Sequence, residues 1–397
     1  MNVLGSGTAV KEPAEGESPA VPHYPSLDGA RGAAALMVVV FHALALLQSG
    51  ETSDPLNRFV TQWIYGFGYI GVAVFFLLSG FLLFSEFVMD LIARTGRKSM
   101  SRFASRRFLR IYPAYWAALI AAELLLGPLI GSRIGLFSLM ERYVDSSHVF
   151  IGLGVAWSLT VEVTFYLFLA LFVLVLGIFC RRIGNQNVRV VLVVLLTFSL
   201  LAVPRLFQDF VKEGSTTDYR IHGSLFDYLD WFGWGMLLSI FASLLRIGWR
   251  PMSLVYRFGT MRRTCWPLAI VVYGAATLII DFDGSKIGAE PPVPDALLAH
   301  GLYGVAALLF LIPLTIGTGA KSKRGFFSSR LMYEIGMVSY GVYLWHDIFL
   351  KYYLWNFTYT PGIGLFVLVV AVLVPLSLAV GWLSYRLIER PAMKLSW

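Results

Sequence analysis

The sequence predicts an all-α membrane protein, a bundle of about ten transmembrane helices with both termini in the cytoplasm. Three observations predict it. Of 397 residues, 57% are hydrophobic and only 14% charged, where a soluble domain carries about a quarter charged residues, and the mean hydropathy is +0.69. Apolar stretches approaching the ~20 residues that a spanning helix needs fall roughly over 30–50, 62–86, 111–130, 154–178, 188–203, 222–245, 264–281, 298–317, 335–355 and 362–388. The basic residues alternate between the two sides. With Arg189 and Lys351, at the ends of their spans, counted in the adjoining connection, connections 2–3, 4–5, 6–7 and 8–9 carry 7, 3, 5 and 4 lysines and arginines, and the other five carry 1, 2, 3, 1 and 1. The positive-inside rule then places both ends in the cytoplasm of a multi-pass cell-membrane protein. The net charge of +8 is therefore a matter of topology, and nucleic-acid binding is excluded as its explanation.

Residues 1–26 are polar, and Lys11 is their only basic residue. Without a positive n-region they are no cleaved signal and read as a disordered cytoplasmic tail. Residues 27–391 form one transmembrane domain and 392–397 a short C-terminal tail. Cys180 and Cys265 fall near cytoplasmic ends, where a structural disulfide is not expected, and their spacing fits no metal site.

Ionisable groups at membrane depth cost ~2.5–3.5 kcal/mol on insertion scales and are functional candidates by default. In the first span Arg31 and His42 are eleven positions apart, 20° past three full helical turns and ~16 Å along the axis. They share one face, the guanidinium at the cytoplasmic mouth and the imidazole near mid-bilayer. The plain alternative is an interior histidine bonded to a neighbouring helix. Asp28 caps the helix or pairs with Arg31.

Arg106, Arg107 and Arg110 precede the third span in FASRRFLRIYP. Guanidinium forks suit phosphate; a stop-transfer or lipid-headgroup cluster explains them equally well. Glu162 lies in the fourth span with Tyr166 one turn on. A membrane carboxylate faces a cavity or a partner base, with structural pairing as the alternative. Tyr340, Tyr343 and His346 recur at three-residue spacing on one face, with Asp347 following; they line a polar cavity or form an interfacial belt. His300 opens a span and reads as a cap. His23, His148 and His222 sit in or beside loops and receive no role. No zinc signature such as HExxH is present, and no metal is expected.

In order, YPSLDGARGAAALMVVVFH, GVAVFFLLSGFLLF, FASRRFLRIYP, AWSLTVEVTFYLF, VSYGVYLWH and YRLIERP make the chain resemble the acyltransferase-3 family of membrane O-acyltransferases over residues 25–391. The family's motif of a basic residue, ten residues and a histidine falls on Arg31 and His42, and its Arg-x-x-Arg motif on Arg107 and Arg110. The resemblance implies transfer of an acyl group, commonly acetyl, from acyl-CoA to a hydroxyl of an envelope polysaccharide or glycolipid, with a macrolide-like small molecule as second choice. In that reading His42 is the general base, and Glu162 orients it or stabilises the imidazolium that forms. Arg107, Arg110 and Arg31 grip the donor's phosphates, and Ser79, Tyr343 or His346 serves the oxyanion or substrate. Some members carry a fused extracytoplasmic domain after the last span. The present sequence stops at Trp397, so the expectation is action alone or with a separate partner. From a different class, a secondary transporter or flippase also places polar residues in a helical bundle, though the internal repeats and paired broken helices common in transporters are not apparent in this sequence.

Overall fold

The computed structural model describes residues 24–47, 55–96, 99–129, 131–144, 153–213, 223–248, 261–280, 293–316 and 325–395. Almost all of the tail read as disordered, together with His23, His148 and His222, lies outside the described residues. Every regular element among the described residues is helical. The helices are α1 (Pro25–His42), α2 (Pro55–Ala93), α3 (Met100–Leu126), the short α4 (Arg133–Ser138) and α5 (Glu141–Val144), α6 (Ala156–Arg182), α7 (Gln186–Ser199), α8 (Val203–Glu213), α9 (Leu225–Arg246), α10 (Arg262–Ile279), α11 (Val293–Thr315), α12 (Arg330–Asn356), α13 (Ile363–Ser384) and α14 (Arg390–Met393).

Each predicted span coincides with a helix, and the local signals explain the ends. α1 begins earlier than its apolar run, because Pro25 supplies a pre-set φ at the first turn. Ser99, Asn185 and Ser329 cap α3, α7 and α12 through their side-chain oxygens. Among the described residues, seven helices are long and apolar enough to cross a membrane, and Arg263–Ile279 is a shorter apolar one. α1 and α12, which carry the two mid-helix histidines, fall outside that set. α1 is diluted by Asp28, Arg31 and His42 within its 18 residues, and α12 by Arg330, Glu334, Asp347 and Lys351. Leucines and isoleucines such as Leu124, Leu167, Leu171 and Ile178 stand exposed on the outside, as helices facing hydrocarbon require.

Close approach of helices at small residues sets the site. α2 packs on α9 through a reciprocal pair: a Cβ at Gly80 would meet the Phe232 carbonyl oxygen at 2.2 Å, and one at Gly235 would meet that of Leu77 at 2.0 Å. α1 packs along α12, where a Cβ at Gly336 would lie 2.0 Å from the Asp28 carbonyl oxygen. Gly336→Val is therefore expected to wedge α12 off α1, costing about 1–3 kcal/mol. A thermal-denaturation scan of the purified protein checks this, with Gly177→Ala as a control, since nothing lies within 4 Å of a Cβ there. Beyond α13 the chain makes one π-helical turn, Tyr385–Glu389, which turns the Glu389 carboxylate inward. That side chain is buried and accepts a hydrogen bond from Ser384 at 3.2 Å.

Candidate active site

Two joined cavities run into the bundle. The outer, basic one has a volume of about 450 Å³ between α1, α2 and α3, and the inner one about 90 Å³ between α1, α2, α3, α6 and α12. Arg31, Leu82, Arg107 and Arg110 line both and so form the throat between them. Arg106 and Arg107 reach opposite oxygens of Glu86, at 2.7 and 3.0 Å. Arg31 is 3.4 Å from Asp28, its neighbour one turn before.

Two features of the throat leave capacity for an anion. The Arg107 Nε is buried without a hydrogen-bond partner. Among the described residues Arg110 makes no hydrogen bond and no ion pair. A buried polar donor left unmade is costly, and the guanidinium groups of Arg31 on α1 and of Arg107 and Arg110 on α3 converge here. The donor set fits the phosphates of a ligand entering from the basic side.

Inside the throat, one oxygen of Glu162 (Oε1) accepts from Ser79 at 2.9 Å and from Tyr166 at 2.7 Å. Its other oxygen makes no hydrogen bond among the described residues. Tyr343 and Ser158 join hydroxyls at 2.6 Å, and the Tyr343 hydroxyl is also 3.0 Å from the Val155 carbonyl. Tyr340 donates to the Ile111 carbonyl at 2.8 Å, tying α12 to α3.

His42 and His346 meet beyond Tyr343, whose ring is 5.9 Å from that of His346. The Nδ1 of His42 lies 2.9 Å from the Val38 carbonyl, and the Nδ1 of His346 lies 3.1 Å from that of Val342. A carbonyl only accepts, so each Nδ1 carries the proton. The Nε2 of His346, 3.2 Å from the Nδ1 of His42, then accepts from it. This leaves the Nε2 of His42 with its lone pair. Asp347, next along α12, accepts from the Gly154 amide at 3.0 Å and pairs with Lys351 at 2.9 Å, fastening α12 to the start of α6.

The structure thus gathers Arg31, Arg107 and Arg110 around one throat and Ser79, Glu162 and Tyr343 around the chamber behind it. It does not bring Glu162 to His42. The carboxylate is engaged by Ser79 and Tyr166, and the partner of His42 is His346. Nor does His346 stand as an oxyanion donor in this arrangement, because its Nε2 accepts from His42 and it is fully buried. His300 is no helix cap: its Nε2 is 3.0 Å from both oxygens of Asp230. Ser158, Asp230 and Glu389 belong to these networks although their sequence contexts drew no attention. Ser158 lies one turn before Glu162, and Asp230 is a carboxylate in an apolar run, so spacing and membrane cost would have found both.

Fold and site together define a polytopic helical membrane protein built around a cation-lined cavity that opens onto a chamber bearing hydroxyls and a carboxylate, with a histidine pair behind its wall. The chain belongs to the acyltransferase-3 family, whose profile, described as an acyltransferase domain, matches residues 24–386. It is 25% identical over 396 aligned residues to "O-acetyltransferase OatA" of Staphylococcus aureus strain NCTC 8325, covering 94% of this chain and 58% of that protein. It is 27% identical over 397 aligned residues to "Peptidoglycan O-acetyltransferase OatA" of Listeria monocytogenes EGD-e, covering 94% and 56%. A shorter match, 33% identical over 172 residues, links it to "Nodulation protein 10" of Rhizobium leguminosarum bv. viciae, covering 36% of this chain and 43% of that one. The chain spans a little over half the length of the first two relatives. No solved structure matches it.

Proposed function

We propose that the protein is an integral membrane O-acetyltransferase that moves the acyl group of acyl-CoA to a hydroxyl of an envelope carbohydrate. It would cross the membrane ten times with cytoplasmic ends. The observation that carries the reading is the throat of Arg31, Arg107 and Arg110, with a buried unpartnered Nε and an unpaired guanidinium, leading into a chamber beside the His42–His346 pair. The family and two relatives named as O-acetyltransferases, one of them of peptidoglycan, support it.

Bound acyl-CoA supplies an activated thioester. Arg107 and Arg110 hold its phosphates by charge-assisted hydrogen bonds, with Arg31 at the inner edge. The extended pantetheine arm, of order 15–20 Å, matches the ~16 Å from Arg31 to His42 along α1. His42 Nε2 takes the acceptor's hydroxyl proton during attack and returns it to the departing thiolate. His346 holds His42 in the required tautomer and supports the imidazolium that forms, the role a carboxylate has in a Ser-His-Asp triad. Ser79 and Tyr343 stand on the chamber wall and would serve the oxyanion by turning the protons they donate here to Glu162 and the Val155 carbonyl.

A second reading is favoured by one observation: Glu162 lines the chamber, whereas His42 lies behind Tyr343. In it the free oxygen of Glu162 is the base. Purified protein in vesicles, given radiolabelled acetyl-CoA and an N-acetylglucosamine oligomer, is expected to yield a labelled, alkali-labile ester on the oligomer. Label that stays on CoA or merely crosses the bilayer overturns the enzyme reading for the transporter one. Loss of transfer in Glu162→Gln with wild-type rates in His42→Ala selects the second reading.

A further inference from the structure

Apart from the His42–His346 pair, the bundle holds an imidazole–carboxylate pair, Asp230 on α9 and His300 on α11. We propose that this pair is the acceptor-binding end of the enzyme, where His300 Nδ1 accepts a hydrogen bond from a pyranose hydroxyl. The proposal rests on the reading that the acceptor is a carbohydrate.

The pair is built to present one atom. Both oxygens of Asp230 lie 3.0 Å from His300 Nε2, and a carboxylate accepts only, so Nε2 carries the proton, and in the neutral imidazole Nδ1 keeps the lone pair. Asp230 is itself fixed by the Trp231 amide at 2.8 Å. The imidazole lies flat on the Trp231 indole, with ring centres 4.2 Å apart and planes 7° apart. The indole Nε1 in turn donates to the His300 carbonyl at 3.3 Å. Among the described residues Nδ1 makes no hydrogen bond. An oriented imidazole with a free acceptor atom, at a cost in buried charge, is a group held for a ligand.

The surroundings select a sugar. Tyr228 lies 5.8 Å from the imidazole and 5.5 Å from Trp157, so aromatic faces flank the polar pair, the mix of apolar wall and few convergent polar groups that fixes a neutral ligand. An anionic donor would be repelled by Asp230, and the arginines that suit it line the throat. Phe76 connects the two regions: it lines the inner chamber and packs against Tyr228 at 5.4 Å.

Depth agrees as well. Arg246 at the end of α9 meets Tyr24 at the start of α1. Asp230 is sixteen residues from Arg246 and His42 eighteen from Tyr24, so both stand ~24–27 Å from that common end. Acceptor and base would therefore work at one level of the bundle.

The full-length protein in vesicles tests this with His300→Gln and Asp230→Asn. The second variant keeps the packing but donates to Nε2, which puts the proton on Nδ1 and removes the acceptor atom. Both are expected to raise KM for an N-acetylglucosamine oligomer about tenfold. KM for acetyl-CoA and acceptor-free thioester hydrolysis should stay at wild-type values. An unchanged oligomer KM in the two variants, or an equal rise in the KM for acetyl-CoA, overturns the assignment. Should wild-type protein fail to acetylate the oligomer, tryptophan fluorescence separates the two failures. A saturable change that disappears in Asp230→Asn upholds the binding site without the carbohydrate reaction, and no change in wild type overturns it.

Discussion

Replacing His42 with alanine is expected to lower transfer from acyl-CoA by about 10²–10⁴-fold, the range for loss of a general base, or about 3–5 kcal/mol in the barrier. Donor affinity should stay unchanged. The argument is geometric. Two carbonyls fix the protons of the histidine pair on Nδ1, leaving His42 Nε2 as the one basic nitrogen the pair has not used. His346→Gln should retain part of this rate, because the side-chain amide oxygen still accepts from His42 Nδ1. Initial rates with saturating acetyl-CoA, together with equilibrium donor binding, check both variants. Full activity in a correctly folded His42→Ala protein would remove the histidine from the chemistry.

The second large effect concerns the throat. Removing both guanidinium groups in the double variant Arg107→Ala, Arg110→Ala is expected to weaken acetyl-CoA binding by about 2–5 kcal/mol. Hydrogen bonds to charged groups contribute about 1.5–3 kcal/mol each, and the two are neighbours whose losses do not simply add. Maximal turnover should fall far less. Arg110→Lys separates the two explanations for these arginines. Lysine keeps the positive charge that orients the chain across the membrane but loses the planar fork. Weakened donor binding with normal insertion supports phosphate recognition. Wild-type binding in Arg110→Lys would return the cluster to topology alone. Titration of acetyl-CoA into the reconstituted protein provides the measurement.

The reach of the sequence follows from the range of each interaction. Apolar runs placed a helix at every predicted span, because hydrocarbon length and backbone satisfaction are local demands. The rule that charge does not belong in lipid drew attention to Arg31, Arg107, Arg110, Glu162 and His346, which stand around the two cavities or the histidine pair. Pairings across the bundle were not legible. His42 and His346 are 304 positions apart, and their contact depends on α1 and α12 closing over Gly336. Helical periodicity reports which face a residue occupies and is silent on which helix comes to meet it. For the same reason Glu162 was given to His42, when Ser79 on α2 and its own neighbour Tyr166 take it. The π-helical turn at Tyr385–Glu389 has no periodic signature at all. It adds one residue to a turn, and with it carries Glu389 inside, where Arg110 is among the charges acting on it.

The central claim is a division of labour within one site, donor recognition at the throat and proton transfer at the histidine pair. The most direct measurement is acetyl-CoA affinity and single-turnover transfer rate, determined together for His42→Ala and for the Arg107→Ala, Arg110→Ala variant. The predicted result is a crossed pattern, with binding intact and transfer lost in the first, and binding lost with transfer at saturating donor largely kept in the second. Binding and transfer falling in proportion in both variants would contradict it.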